Sequence, residues 1–358
     1  MSAISQSSTN VPGLLEGWSW EPPKDWTTIE TIDLHTGGEP LRVYTGGVPE
    51  IPGDSILEKR RYFRDNLDHL RTALMWEPRG HADMYGAVIT EPTTDDADFG
   101  TFFLHNEGYS SMCGHAIIAL VTLALDTGMI AKTDENPEII INVPAGKVKA
   151  RATFDEKGKV KNVSFLNVPS FMPLRDAEVD VPGIGKVKFD LGYGGAFYAY
   201  VDAEPLGLTL DESDYDQLID YGRRIKYAVM ENFEIKHPFE EDLSFLYGTI
   251  FVGSARKEGN HSRNVCVFAE GEVDRSPTGT GVSGRAAIHH AKGELGEDEP
   301  AIIESILGSE MVVRVAGTGA FGGYDAIIPE VTGNARITGK NKFYIDPDDE
   351  LADGFIFR

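Results

Sequence analysis

Cysteine is scarce in this chain: two residues, Cys113 and Cys266, in 358. That is too few for a disulfide framework, so the fold must rest on apolar cores, and thiol chemistry has only two candidates. Positive charge is scarce as well. The 33 Lys and Arg face 57 Asp and Glu, a formal net charge of −24. Nucleic acid and anionic membrane surfaces are thereby excluded as expected partners. A small anionic substrate is not, because one pocket can be positive inside a negative protein. Long apolar runs are missing too. The longest, Ala116 to Leu125, falls short of the ~18 residues a membrane span requires and is broken by Thr122. The first residues lack a charged segment followed by an apolar one and contain no Arg, which argues against a secretory or mitochondrial address. A cytoplasmic location is expected, where a catalytic thiol stays reduced. Metal-ligand spacings such as H-E-x-x-H and C-x-x-C are also absent, and His289 and His290, being adjacent, diverge on a helix.

What is present is a repeat. Ser111-Met112-Cys113-Gly114-His115 and Ser276-Pro277-Thr278-Gly279-Thr280-Gly281 share a Ser two residues before the central position and a Gly directly after it. Each runs into small and apolar residues that read as a helix, over His115–Thr127 and Gly281–Lys292, and each meets a Gly fifteen residues on, Gly128 and Gly293. Three further matches keep the same order: Asp33-Leu-His-Thr-Gly37-Gly38 with Asp190-Leu-Gly-Tyr-Gly194-Gly195, Met84-Tyr85-Gly86 with Leu246-Tyr247-Gly248, and Phe103 with Phe268. Such a series indicates a duplicated unit. The first helix is apolar nearly all round, so a sheet must wrap it. An additional helix is expected over Asp211–Lys226, with Leu218, Ile219, Tyr221 and Ile225 on one face. The remainder is strand-rich and punctuated by Gly and Pro. The division expected is a flexible leader over 1–26, docked through Trp18, Trp20 and Trp26, a first half over 27–172 plus 336–358, and a second over 173–335.

A Gly-flanked helix start presents backbone N–H groups and the positive end of the dipole, a setting for a carboxylate. The same field would lower the pKa of Cys113 toward neutrality and suit it to exchange a proton. Thr278 holds the equivalent place. It is a natural N-cap and, as an unperturbed hydroxyl, a poor base. His115 sits too close in sequence to Cys113 for a dyad across a substrate; a hydrogen bond to a substrate carboxylate or to the backbone is expected. Asp274 is a candidate for a substrate ammonium, and Cys266 reads as a core strand residue. Gly279-Thr-Gly281-Val-Ser-Gly284 satisfies G-x-G-x-x-G, but Asp274-Arg-Ser-Pro277 precedes it where a dinucleotide site needs a strand.

Four segments, Asp33-Leu-His-Thr-Gly-Gly-Glu-Pro-Leu-Arg42, Met112-Cys-Gly-His115, Tyr193-Gly-Gly-Ala-Phe197 and Asp274-Arg-Ser-Pro-Thr-Gly-Thr280, resemble the signatures of the proline racemase family. The resemblance implies an α/β (α+β), diaminopimelate-epimerase-like fold: two pseudo-symmetric halves, each a mostly antiparallel sheet rolled round a central helix, with the active site in the cleft between. It implies no cofactor and a homodimer. It implies Cys113 as proton acceptor and Gly114, His115, Asp274, Gly279 and Thr280 as substrate contacts. Family racemases and hydroxyproline epimerases usually carry Cys in both loops. Thr278 departs from that and resembles the branch that dehydrates trans-3-hydroxy-L-proline. The alternatives are a proline racemase or hydroxyproline 2-epimerase with an unidentified second base, a non-catalytic amino-acid-binding protein, and a nucleotide-dependent oxidoreductase.

Overall fold

A computed structural model describes residues 15, 17–132 and 134–357. Most of the expected leader, residues 1–14 and 16, lies outside the described residues. Of its tryptophans, Trp20 packs edge-on against Trp26 and against Tyr344 of the last strand, while Trp18 is exposed.

The helices are α1 (Ile56–Asn66), α2 (Asp68–Met75), α3 (Gly114–Asp126), α4 (Tyr215–Asn232) and α5 (Gly279–Lys292). Among the described residues, eighteen strands join into one continuous sheet. The sheet-rich α/β architecture runs twice through one order. Strands Thr27–Thr36 and Glu39–Gly46 are followed by α1 and α2, then by Gly86–Thr90 parallel to the second of them. Strands Gly185–Tyr193 and Phe197–Asp202 are followed by α4, then by Leu246–Gly253, again parallel to its predecessor. In each copy a crossover containing the central helix joins two further parallel neighbours, Phe99–Leu104 with Glu138–Val143 and Ser262–Phe268 with Ala301–Glu304.

The chain exchanges its closing strands. Ser170–Val181 pairs with Gly185–Tyr193, whereas Ala335–Ile345 returns to pair with Thr27–Thr36 over its whole length. Tyr324–Gly333 lies against Val160–Leu166 and the start of Ser170–Val181, and so connects the two curved surfaces.

α3 is buried at every residue from Gly114 to Leu125, enclosed by strands on all sides, as its uniformly apolar sequence requires. α5 is wrapped by Ser170–Val181, Gly185–Tyr193, Glu310–Phe321 and Tyr324–Gly333, and only its last turn, from His289, is partly open. The extra helix starts four residues later than its sequence pattern suggests, because Glu212–Asp214 forms a 3-10 turn first; Leu218 and Ile225 are buried on the expected face. The glycines of the G-x-G-x-x-G stretch lie inside α5, not in a strand-to-helix turn. A Cβ on Gly284 would strike the Tyr200 hydroxyl at 2.4 Å, and that hydroxyl donates to the Gly281 carbonyl at 2.7 Å. Gly281 and Gly284 are there for helix–sheet packing, against Ile250 and Tyr200.

Candidate active site

The two central helices meet at their N-termini. Cys113 is the N-cap of α3 and Thr278 the N-cap of α5. A Cβ placed on Gly114 would lie 2.5 Å from Gly279 Cα, and one on Gly279 equally close to Gly114 Cα. Only two glycines allow the backbones this near, and the contact fixes the separation of the two caps.

Each helix start is buttressed by the Gly-Gly turn of the other copy. Gly37 and Gly38 have φ of 60° and 100° and pack against Ser276 and Arg275. Gly195, at φ 102°, packs against Met112, and Ser111 Oγ donates to its carbonyl at 2.5 Å. Glu39, fully buried, accepts from the Arg275 N–H at 2.7 Å through Oε2. Asp274 in turn accepts from the Ser276 N–H, also at 2.7 Å.

Cys113, Gly114, His115, Asp274, Thr278, Gly279 and Thr280 all line one small cavity. The seven residues singled out from the sequence are thus brought together. The rest of the wall, Tyr85, Met112, Tyr198, Tyr247 and Phe268, was not singled out as site residues. Tyr85 and Tyr247 are equivalent in the repeat, and their hydroxyls approach to 3.4 Å across the cavity. Cys266 belongs to the core: it sits in a central strand opposite Ile250, outside the cavity wall.

One expectation about Cys113 needs correction. Burial pushes its thiol well above the ordinary cysteine value, opposed by the Ala116 N–H and the Tyr85 hydroxyl and reinforced by the charge of Asp274. The helix field is present but weaker than the cost of charging sulfur away from water. His115 makes the backbone hydrogen bond expected of it, to the Pro40 carbonyl, and its Nδ1 also lies 3.2 Å from Cys113 Sγ on the same wall. Burial lowers the imidazole pKa, against the Asp274 charge and a hydrogen bond to the Pro40 carbonyl, so the ring is held neutral. Neutral imidazole beside a thiol is a local proton acceptor.

The opposite wall differs. Thr278 does not cap α5 through its side chain; Oγ1 is buried, with no oxygen or nitrogen partner and only the Cys266 thiol beside it. Its backbone lies at φ 70°, a region costly for a β-branched residue. Thr280 Oγ1 pairs with the Tyr198 hydroxyl at 2.7 Å. One wall therefore carries a thiol, an imidazole and a phenol in contact, and the other a strained threonine. Among the described residues no group of three or more His, Cys, Asp and Glu could hold a metal, and no helix is long and apolar enough to cross a membrane.

Residues 31–356 match the family model for proline racemase. The chain belongs to the proline racemase family. A trans-3-hydroxy-L-proline dehydratase of Colwellia psychrerythraea is 52% identical over 95% of this chain and 96% of its own. A 3-hydroxyproline 2-epimerase of Burkholderia multivorans is 43% identical over 92% of this chain and 98% of its own. Among solved structures, a hydroxyproline epimerase from Agrobacterium vitis, with bound trans-4-hydroxy-L-proline, superposes with a TM-score of 0.87 at 30% identity, covering 92% of this chain and 96% of its own. The fold expected from the family signatures is the one observed.

Proposed function

We propose that this member of the proline racemase family is a trans-3-hydroxy-L-proline dehydratase, with Cys113 as its single proton-abstracting base. The observation that carries the reading is the asymmetry of the two caps: a thiol on α3 and, at the equivalent place on α5, a buried threonine hydroxyl that cannot act as a base. Inverting a stereocentre takes a base on each face of Cα, whereas eliminating water takes one.

In trans-3-hydroxy-L-proline the carboxylate and hydroxyl lie on opposite ring faces, so the Cα hydrogen shares the hydroxyl's face. His115 Nδ1 takes the thiol proton, and the imidazolium balances the thiolate as it forms. The thiolate then removes the Cα proton. Charge moves onto the substrate carboxylate, where the N–H groups of Gly114, His115, Gly279 and Thr280 at two helix starts stabilise it. Asp274 faces the ring ammonium. The C3–O bond breaks as the new Cys113 S–H returns its proton to the hydroxyl on the same face, and water leaves. Δ2-pyrroline-2-carboxylate remains and tautomerises to the Δ1 imine. No cofactor enters any step. The same reading divides the chain into halves 27–172 plus 336–358 and 173–335, and includes a homodimer in the cytoplasm, where two buried free cysteines remain reduced.

The 43% identical epimerase keeps a second reading open, 2-epimerisation with another group as second base. A panel of L- and D-proline with the cis and trans 3- and 4-hydroxyprolines, scored for imine formation and for inversion in D2O, separates them. Dehydration of trans-3-hydroxy-L-proline without net inversion is expected. Cys113→Ser should abolish turnover, and Thr278→Cys should introduce measurable inversion at Cα. An active Cys113→Ser enzyme would end the assignment.

A further inference from the structure

A second pocket opens between α1, α2 and the loop that carries Glu107. Its walls include Arg60 and Arg64 of α1, Asp68 and Arg71 of α2, Glu107, and Phe245 from the other copy of the repeat. In a chain of net charge −24, such a concentration of guanidinium groups needs a reason. Most are already partnered. Arg71 is held by Asp68 at 2.7 Å, and Arg64 by Asp65 at 2.7 Å.

Arg60 is different. It is only 6% exposed, yet its contacts are long: Nη1 lies 3.5 Å from the Ser110 carbonyl, and Nη2 3.4 Å from Asp242 Oδ2. Asp242 already has a better partner in Arg61, at 2.8 Å. Two guanidinium groups share one carboxylate, and the buried one holds the poorer geometry. A buried charge left under-compensated is costly, and a ligand carboxylate entering the pocket would relieve it. Glu107 stands on the same wall, 3.8 Å from Lys226 Nζ, and that long contact leaves it able to take a ligand ammonium as well.

Neighbouring side chains link the pocket's wall to that of the Cys113 cavity. Ser110, whose carbonyl faces Arg60, bonds through Oγ to the Tyr85 hydroxyl at 2.5 Å, and Tyr85 lines the Cys113 cavity. Phe245 packs edge-on against Tyr247, on the same cavity wall.

We infer that the Arg60 pocket is a reception site for a zwitterionic amino acid, which it holds by the carboxylate before passage to Cys113. Its role in turnover rests on the dehydratase reading; its binding does not.

The test has two arms. In the first, iodoacetamide-treated protein, with the Cys113 cavity blocked, is dialysed at low ionic strength against radiolabelled L-proline, which has no hydroxyl to lose. One equivalent should still bind, weaken about ten-fold between ~0.02 and ~0.2 M salt, and be lost in Arg60→Gln. No binding after alkylation, or undiminished binding in Arg60→Gln, overturns the inference. Should Arg60→Gln fail to fold, the exposed Arg64→Gln decides, with a drop in affinity of about three-fold expected and no change overturning the site. The second arm is turnover. Arg60→Gln should lower kcat/KM about ten-fold with kcat within about two-fold, and Arg60→Lys should recover most of it. Asp242→Asn leaves Arg60 charged and releases it, so kcat/KM should hold or rise. If Arg60 served only as a tie to Asp242, Asp242→Asn would lower kcat/KM as Arg60→Gln does, and the inference would fail. If no dehydration is seen in the unmodified enzyme, the dialysis arm still decides the site.

Discussion

A thiol at a helix N-cap titrates low when it keeps water, but Cys113 is only 4% exposed. Its charge must be held by the Ala116 N–H, the Tyr85 hydroxyl and His115, and at rest these do not outweigh burial. The resting enzyme therefore holds a thiol, and alkylation by iodoacetamide should accelerate with pH to a midpoint above the free-cysteine value of about 8.5. A midpoint near 7 would mean that the helix field dominates after all. The motif identified Cys113, Thr278, Asp274 and their neighbours, because each residue type suits its chemistry. It could not show the degree of burial, which sets the sign of the shift and depends on strands far away in sequence. Glu39 shows the same limit. In the sequence it is one acidic residue of 57; in the fold it is buried, with Oε1 lacking a partner and its pKa raised by burial and by Asp274. The folded state thus keeps a proton that the unfolded chain releases above about pH 4.3. The stabilisation is complete below that value and is lost as pH rises toward the higher folded pKa. Glu39→Gln keeps an oxygen for the Arg275 N–H and removes the titration. It should raise Tm at pH 7 by about 2 °C, with the gain vanishing near pH 4. An equal gain at both pH values would point to packing instead.

At the scale of elements, the repeat was legible because chemistry and geometry constrain the same positions twice. The Gly-Gly turns, the Tyr-Gly strand starts and the helix entries recur in order, and each recurs in structure at the equivalent place. The partner of each element was not legible. That Gly37 and Gly38 support the Ser276 loop while Gly195 supports Met112 follows from docking across the seam, which leaves no periodic trace in the chain. Tyr85 and Tyr247 were visible as repeat members; a phenol recurring before the first strand glycine on both sides was the available signal for a cavity wall. The most demanding contact is Gly114 against Gly279. Gly114→Ala would place a methyl 2.5 Å from Gly279 Cα and 3.1 Å from Phe165, so the helix starts must separate. A shift of even 1 Å in reacting groups costs about 100-fold. Gly114→Ala should lower kcat by at least that factor and Tm by several degrees. Gly279→Ala should do the same. The double variant should cost less than the sum, since both methyls compete for one gap. Full additivity in Tm would show that the two glycines do not share it.

For the whole molecule, the exchanged closing strand is the feature on which cooperativity depends. Ala335–Ile345 pairs with Thr27–Thr36 along its full length, and α3 packs against both. Its side chains are tied in from several directions. Tyr344 meets Trp20, the Arg42 guanidinium lies 4.3 Å over the Phe343 ring, and Arg79 donates to the Tyr344 and Ala352 carbonyls at 3.3 and 3.0 Å. Arg42 in turn is paired with Asp33 at 2.9 Å and donates to the Leu74 and Arg79 carbonyls. Ending the chain at residue 334 would strip one edge from Thr27–Thr36, uncover part of α3 and leave Arg42 without its aromatic cover. An apolar helix facing water and an unpaired strand edge together favour aggregation. The shortened chain should accumulate as insoluble protein. The segment 335–358, co-expressed as a separate peptide, should restore part of the soluble, cooperatively melting fraction, because the pairing is non-covalent and its site is formed by the rest of the fold. Soluble yield and the width of the thermal transition measure both effects. A chain ending at 334 that melts sharply at the full-length temperature would show that α3 is enclosed without its returning strand, and would remove the structural reason for the exchange.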